Sequence, residues 1–288
     1  MEVKEFLEKA VNDGASDIFI VAGGPVSEKL DGRIRPLTEG RVLPDSTKSL
    51  IEEIYRLAGR DMARFLDSGD DDFSFAIAGL ARFRVNTYRQ RGSLAAVIRV
   101  VSFDIPDYRA LGIPESIMAL AEETHGLIIV SGTAGSGKST TQACLIDRIN
   151  RTREAHIITL EDPIEFLYRD QRSIISQREV TVDTADYLSA LRASLRQAPD
   201  VILLGEMRDP ETIHTAMTAA ETGHLVIATL HTKGAVNTID RIVDAFPGGQ
   251  QSQVRTQLSM VLRAVASQQL LPGVDGGLEP AFELMTMN

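Results

Sequence analysis

The chain has 288 residues, 43% of them hydrophobic, which is enough for one large or two ordinary globular domains. A net charge of −10 and a pI near 5.1 argue against a protein built to grip phosphate backbones, which needs a basic face, so no direct nucleic-acid partner is expected. There is no charged-then-apolar leader at Met1 and no apolar run near the ~20 residues that span a bilayer, so the expected location is cytoplasmic. The lone cysteine, Cys144, excludes an internal disulfide and a multi-cysteine zinc site, and reads as a small buried apolar residue.

In chain order, Val3, Phe6, Leu7 and Ala10 have helical spacing over residues 2–12, and residues 18–22 form a short apolar strand. Asp31-Gly32 is a hairpin turn signal, and a helical stretch is expected from residue 47 to about 66. Asp70, Asp71 and Asp72 read as a solvated turn before a strand in which Phe73, Phe75 and Ile77 alternate. Residues 81–90 and 94–101 make a second hairpin around Arg91-Gly92. These elements predict a sheet flanked by helices over residues 1–101. Pro106, Gly112 and Pro114 punctuate an aperiodic stretch, read as a linker over 102–114. From 115 to 288 apolar strands alternate with helices, which predicts a mostly parallel sheet covered on both faces.

That second half carries the chemistry. GTAGSGKST over 132–140 fits G-x-x-x-x-G-K-[ST], between an apolar strand at 127–130 and a helix from about 138 to 150. Glycines let the backbone turn its N–H groups toward phosphate at a helix N-terminus, Lys138 answers the β/γ charge, and the Ser139 hydroxyl reaches Mg²⁺. The expected nucleotide contacts are therefore Thr133, Ala134, Gly135, Ser136, Gly137, Lys138, Ser139 and Thr140. Two further apolar strands end in acids: residues 156–160 lead into Glu161, Asp162 and Glu165, and 201–204 into Gly205 and Glu206. The carboxyl ends of parallel strands form the ligand crevice of an open sheet. Phosphoryl transfer to water needs one carboxylate to orient the water and another to hold Mg²⁺ or its waters, roles that Glu165 and Glu206 fit.

At these residues the sequence resembles a family. TLEDPIEF from Thr159, LRASLRQAPD from Leu191, LLGEMRD from Leu203 and TAAETGHLVIATLHT from Thr218 resemble the PilT-type type IV pilus retraction ATPases, within the wider secretion-ATPase superfamily. GASDIFIVAGG, DGRIR, DDFSF and ARFRVN keep that family's order in the N-terminal half, so the resemblance covers essentially the whole chain. It implies an α/β protein: a PAS-like α+β N-terminal domain (1–101), the linker, and a RecA-like P-loop ATPase domain (115–288). It also implies ATP and Mg²⁺, a homo-hexameric ring with active sites between domains, and a position at the inner face of the cytoplasmic membrane through a pilus platform protein. Glu165 takes the place of the family's catalytic glutamate, and Glu206 belongs to an atypical Walker B motif with Gly205 where many ATPases place aspartate.

The family's functional histidines correspond to His224 and His231, which flank the apolar run 225–230. Seven residues of extended strand span about 23 Å, so the two cannot meet one phosphate in one subunit. If this strand is parallel to 127–130, His231 lies on the phosphate side as a γ-phosphate sensor or catalytic acid, and His224 acts at the other edge. Around an Arg91-Gly92 turn Arg84 falls opposite Arg99, a like-charge pair that an anion would relieve, and the resemblance makes both arginines nucleotide contacts. Arg196, four residues after Arg192, matches a family arginine near the ring interface.

Three departures stand out: Phe19 replaces a customary histidine, Thr133 a customary proline, and the sequence ends at Asn288, before the family's helical segment with its Ala-Ile-Arg motif. The expected activity is Mg²⁺-dependent ATP hydrolysis driving pilus retraction. The alternatives are a pilus-assembly or secretion ATPase, which the missing four-cysteine motif and short N-terminal region disfavour, and a nucleotide-gated scaffold without useful turnover.

Overall fold

The computed structural model describes residues 2–30, 32–101, 103–274 and 277–287. The chain divides into two compact units, Met1–Phe103 and Asp104–Asn288. Asp31 of the first turn signal and Ser102 at the start of the expected linker lie outside the described residues.

The N-terminal unit contains α1 (Val3–Asp13), β1 (Asp17–Ile20), β2 (Ser27–Leu30), β3 (Arg33–Pro36), α2 (Pro44–Leu57), α3 (Ala63–Ser68), β4 (Asp70–Ile77), β5 (Ala81–Gln90) and β6 (Ser93–Val101). Its strands form one antiparallel sheet in the order β3-β2-β1-β6-β5-β4. Burial alternates along β5, so Phe83 and Val85 face the helices while Arg82 and Arg84 lie on the other face. The expected helix over 47–66 is two helices, because Gly59 takes a φ of +61° just past α2 and ends it. Asp71 also departs from the solvated turn expected of it: it lies within β4 and is buried. Arg60 donates to both its carboxylate oxygens at 2.9 Å and the Tyr55 hydroxyl to one at 3.0 Å. Burial pushes the Asp71 carboxyl up, but these hydrogen bonds and the Arg60 charge outweigh it and hold it below the usual range.

The C-terminal unit contains α4 (Glu115–Met118), β7 (Gly126–Ser131), α5 (Lys138–Thr152), β8 (His156–Glu161), β9 (Ile174–Glu179) and α6 (Tyr187–Ser194). They are followed by β10 (Val201–Leu204), α7 (Pro210–Glu221), β11 (Leu225–Leu230), α8 (Ala235–Asp244), α9 (Gly248–Val261), β12 (Leu262–Pro272) and β13 (Leu278–Thr286). The sheet runs β13-β12-β7-β11-β10-β8-β9, parallel throughout except for β12 against β13. Every residue of β7, β10 and β11 is buried, since helices cover both faces. Leu127 and Ile129 enter the core under α6 to α9, while Ile128 and Val130 enter the one shared with α4 and α5. Ile105, Tyr108, Leu111 and Ile113, all in the stretch read as a linker, pack against that second core. The fold is α/β, a RecA-like P-loop unit preceded by a smaller α+β unit.

Candidate active site

The carboxyl ends of β7, β8, β10 and β11 open on a cleft of about 320 Å³ in the C-terminal unit. Its walls include Ala134, Gly135, Lys138 and Ser139 of the phosphate-binding loop, Glu161 at the end of β8 and Glu165 after it, Gly205 and Glu206 after β10, and His231 after β11. The loop is held open by its glycines. Gly132, Gly135 and Gly137 all have positive φ, and a Cβ on Gly132 or Gly137 would run into Gln268 of β12. Gln268 is itself buried and accepts a hydrogen bond from the Thr141 hydroxyl at 2.7 Å. The first amides of α5 have no acceptor within the helix, so the loop presents donors and the positive end of a helix dipole.

Lys138 is buried, and its Nζ donates to the carbonyls of Gly132 and Thr133, each at 2.9 Å. Burial lowers its pKa, while the charges of Glu165 and Glu206 act in the opposite sense. Ser136 Oγ is buried without a hydrogen-bond partner among the described residues. Gly137 and Thr140 line a neighbouring depression with Arg109, Leu111 and Gln268.

Glu206 is 7% exposed. Its Oε1 is 2.6 Å from Arg208 Nη2, and its Oε2 lies 3.5 Å from His231 Nε2 with no hydrogen-bond donor among the described residues. Oxygen donors of this type suit Mg²⁺, which usually takes one or two protein oxygens and completes its shell with water and phosphate. No cluster of three or more His, Cys, Asp or Glu able to hold a metal by itself occurs among the described residues. Ser139 and Glu206 both line this cleft.

Glu165 is exposed on the loop after β8, where it lines the cleft. Glu161 underlies that loop. It accepts from the Thr159 hydroxyl at 2.7 Å, from Gln177 Nε2 at 3.4 Å and, at the long limit, from the Glu165 amide at 3.5 Å. Burial nevertheless dominates and pushes its carboxyl up to about 7.

His231 stands where a parallel strand puts it, since Leu230 of β11 pairs with Ser131 of β7. His224 lies, as expected, at the opposite end of β11 from His231, where its Nδ1 donates to the Ala219 carbonyl at 2.9 Å near the end of α7, and it does not line this chain's cleft. Arg84 and Arg99 belong to the N-terminal unit and are paired as the turn demands. Asp17 accepts from Arg99 Nε at 3.0 Å, so a carboxylate of this chain already offsets the charge of Arg99. Arg196 donates to the Arg192 carbonyl and not to an acid.

Sequence reasoning passed over Tyr187, Thr229, Gln177 and Gln268. Tyr187 and Thr229 line the cleft, and the Thr229 hydroxyl donates to the Gly205 carbonyl. No local pattern marks these residues, because each acts on or near the site from a strand or helix distant in sequence.

The family model described as "Type II/IV secretion system protein" matches residues 1–277. The chain is 43% identical over 286 residues to the "Type IV pilus retractation ATPase PilT" of Pseudomonas aeruginosa, covering 99% of this chain and 82% of that protein. The crystal structure of the pilus retraction motor PilT with bound ADP superimposes with a TM-score of 0.90 at 47% identity, over 100% of this chain and 84% of that one. The Legionella pneumophila ATPase DotB superimposes with a TM-score of 0.83 at 29% identity, over 100% of this chain and 82% of its own. The chain belongs to the Type II/IV secretion system protein family, among its PilT-type pilus retraction ATPases.

Proposed function

We propose that this chain hydrolyses ATP in the cleft at the ends of β7, β8, β10 and β11 and that the cycle drives type IV pilus retraction. The observation that carries the reading is the convergence of Lys138, Ser139, Glu165, Glu206 and His231 on one cleft. The likeness to PilT, in both sequence and structure, supports the motor role.

The loop from Thr133 to Thr140 binds the phosphates through its amides, and Lys138 leaves the Gly132 and Thr133 carbonyls to meet the β/γ charge. Glu165 orients the attacking water and takes up its proton, while His231 senses the γ-phosphate beside Glu206. Ser139 and Glu206 would hold Mg²⁺, which would supply charge neutralisation for phosphoryl transfer. Arg84 and Arg99 serve the nucleotide of a neighbouring chain in a homo-hexamer, and His224 acts at a subunit contact. The ring works at the inner face of the cytoplasmic membrane against a pilus platform protein.

Phosphate release by the purified chain tests this reading. Wild type should turn over ATP, lose that turnover in excess chelator, and lose it in Lys138→Ala with the fold intact. A folded Lys138→Ala protein with normal turnover would overturn the site.

A further inference from the structure

The segment 162–168, which carries Glu165, belongs to no helix or strand. A carboxylate that must hold a water in line needs a fixed position, and an irregular segment does not provide one by itself. Side chains take the place of a backbone ladder. The amide of Ile164 donates to Glu179 Oε2 at 3.2 Å, that of Glu165 to Glu161 Oε2 at 3.5 Å, and that of Tyr168 to Gln177 Oε1 at 3.0 Å. The Gln177 amide also works in the other direction, donating from Nε2 to the Phe166 carbonyl at 2.8 Å and to Glu161 Oε1 at 3.4 Å.

Gln177 and Glu179 are alternate residues of β9, so both point to the same side of the edge strand. Parallel pairing sets Gln177 beside Thr159 and Glu179 beside Glu161. Gln177 thus grips the residue directly after Glu165, the residue three further on, and the glutamate beneath the loop. It does not line the cleft.

We infer that Gln177 is a positioning residue for hydrolysis, fixing the 162–168 segment so that Glu165 is held at the attacking water. The inference rests on the reading of Glu165 as the group that orients that water. A primary amide is suited to the task because it accepts and donates at once. Methionine has similar length and volume but donates nothing and accepts only weakly, and glutamate can only accept until it is protonated.

The test uses the full chain with Gln177→Met, Gln177→Glu and Glu165→Gln, alone and combined, measuring single-turnover hydrolysis and binding of a fluorescent ADP. Gln177→Met should lower the hydrolysis rate about tenfold to hundredfold with ADP affinity unchanged within about twofold. Added to Glu165→Gln it should cost less than about a further twofold, since two changes acting through one group are not additive. Gln177→Glu sets a carboxylate against the Phe166 carbonyl and Glu161, so its rate relative to wild type should rise as pH falls from about 8 to about 6 and protonation restores a donor.

Wild-type hydrolysis in Gln177→Met, a full multiplicative loss in the double variant, or an equal loss of ADP binding would each overturn the inference. Should Glu165→Gln alone turn over at the wild-type rate, the reading of Glu165 falls and this inference with it. A slow Glu165→Gln beside a fast Gln177→Met sinks the inference alone.

Discussion

A Cβ built on Gly205 would stand 2.7 Å from the Tyr187 hydroxyl oxygen, so the tyrosine occupies the space an aspartate side chain would enter at this point of the strand end. The Leu160 carbonyl and Glu161 Cα close the other sides at 3.1 and 3.4 Å. The glycine before Glu206 is therefore a packing requirement of this site. Gly205→Ala should destabilise the C-terminal unit by about 1–3 kcal/mol, the usual cost of overfilling a packed position. Combining it with Tyr187→Leu should recover part of that loss, since only the tyrosine contact is severe. Denaturant unfolding of the two single variants and the double variant checks this, and strict additivity would contradict it.

Glu161 provides a pH signature. Its carboxyl is pushed up to about 7 by burial, so the folded chain binds that proton more tightly than the unfolded chain. The associated stability is complete below the ordinary glutamate value near 4.3 and is lost as pH rises through about 7. Glu161→Gln cannot ionise and keeps an oxygen for the Thr159 hydroxyl. Its Tm relative to wild type should therefore rise between about pH 5 and about pH 8. A pH-independent difference would show that Glu161 does not titrate in this window.

The two arginines of the N-terminal sheet are not equivalent. Arg99 is held by Asp17, while Arg84 forms no ion pair among the described residues. Arg84→Ala should then depress turnover more than Arg99→Ala, and both should affect turnover more than ADP binding. If Arg84 serves a neighbouring chain, mixing Arg84→Ala chains with Glu165→Gln chains should restore some ATPase activity, because some interfaces then combine an intact arginine with an intact glutamate. No recovery despite demonstrated subunit exchange would place the arginine's role within its own chain.

What could be read in advance follows from where the determining contacts lie. The phosphate-binding loop and strands β7, β10 and β11 were legible because a strand buried on both faces is a continuous apolar run and the loop is specified by neighbouring residues. The hairpin of β5 and β6 was legible for the same local reason, with Arg91 and Gly92 at φ of +48° and +78°. Asp71 was misread because its partners Arg60 and Tyr55 lie 11 and 16 residues away, and nothing local says that an acid in a run of three is buried. Strand β9 went unrecognised because Gln177 and Glu179 are polar where an apolar alternation would be sought. Those are the residues that hold the 162–168 segment. At the N-terminal helices, the apolar spacing continues across a glycine that the backbone uses to stop.

In the proposed mechanism the carboxylate of Glu165 drives hydrolysis of ATP bound at the loop around Lys138. The most direct measurement is phosphate release by Glu165→Gln beside titration of the same protein with fluorescent ATP. The amide keeps the size and hydrogen-bonding reach of the side chain but cannot take a proton. Turnover should fall at least about a hundredfold while ATP affinity stays within about threefold of wild type. Unchanged turnover in a protein that binds ATP normally would contradict the claim and move the catalytic role away from Glu165.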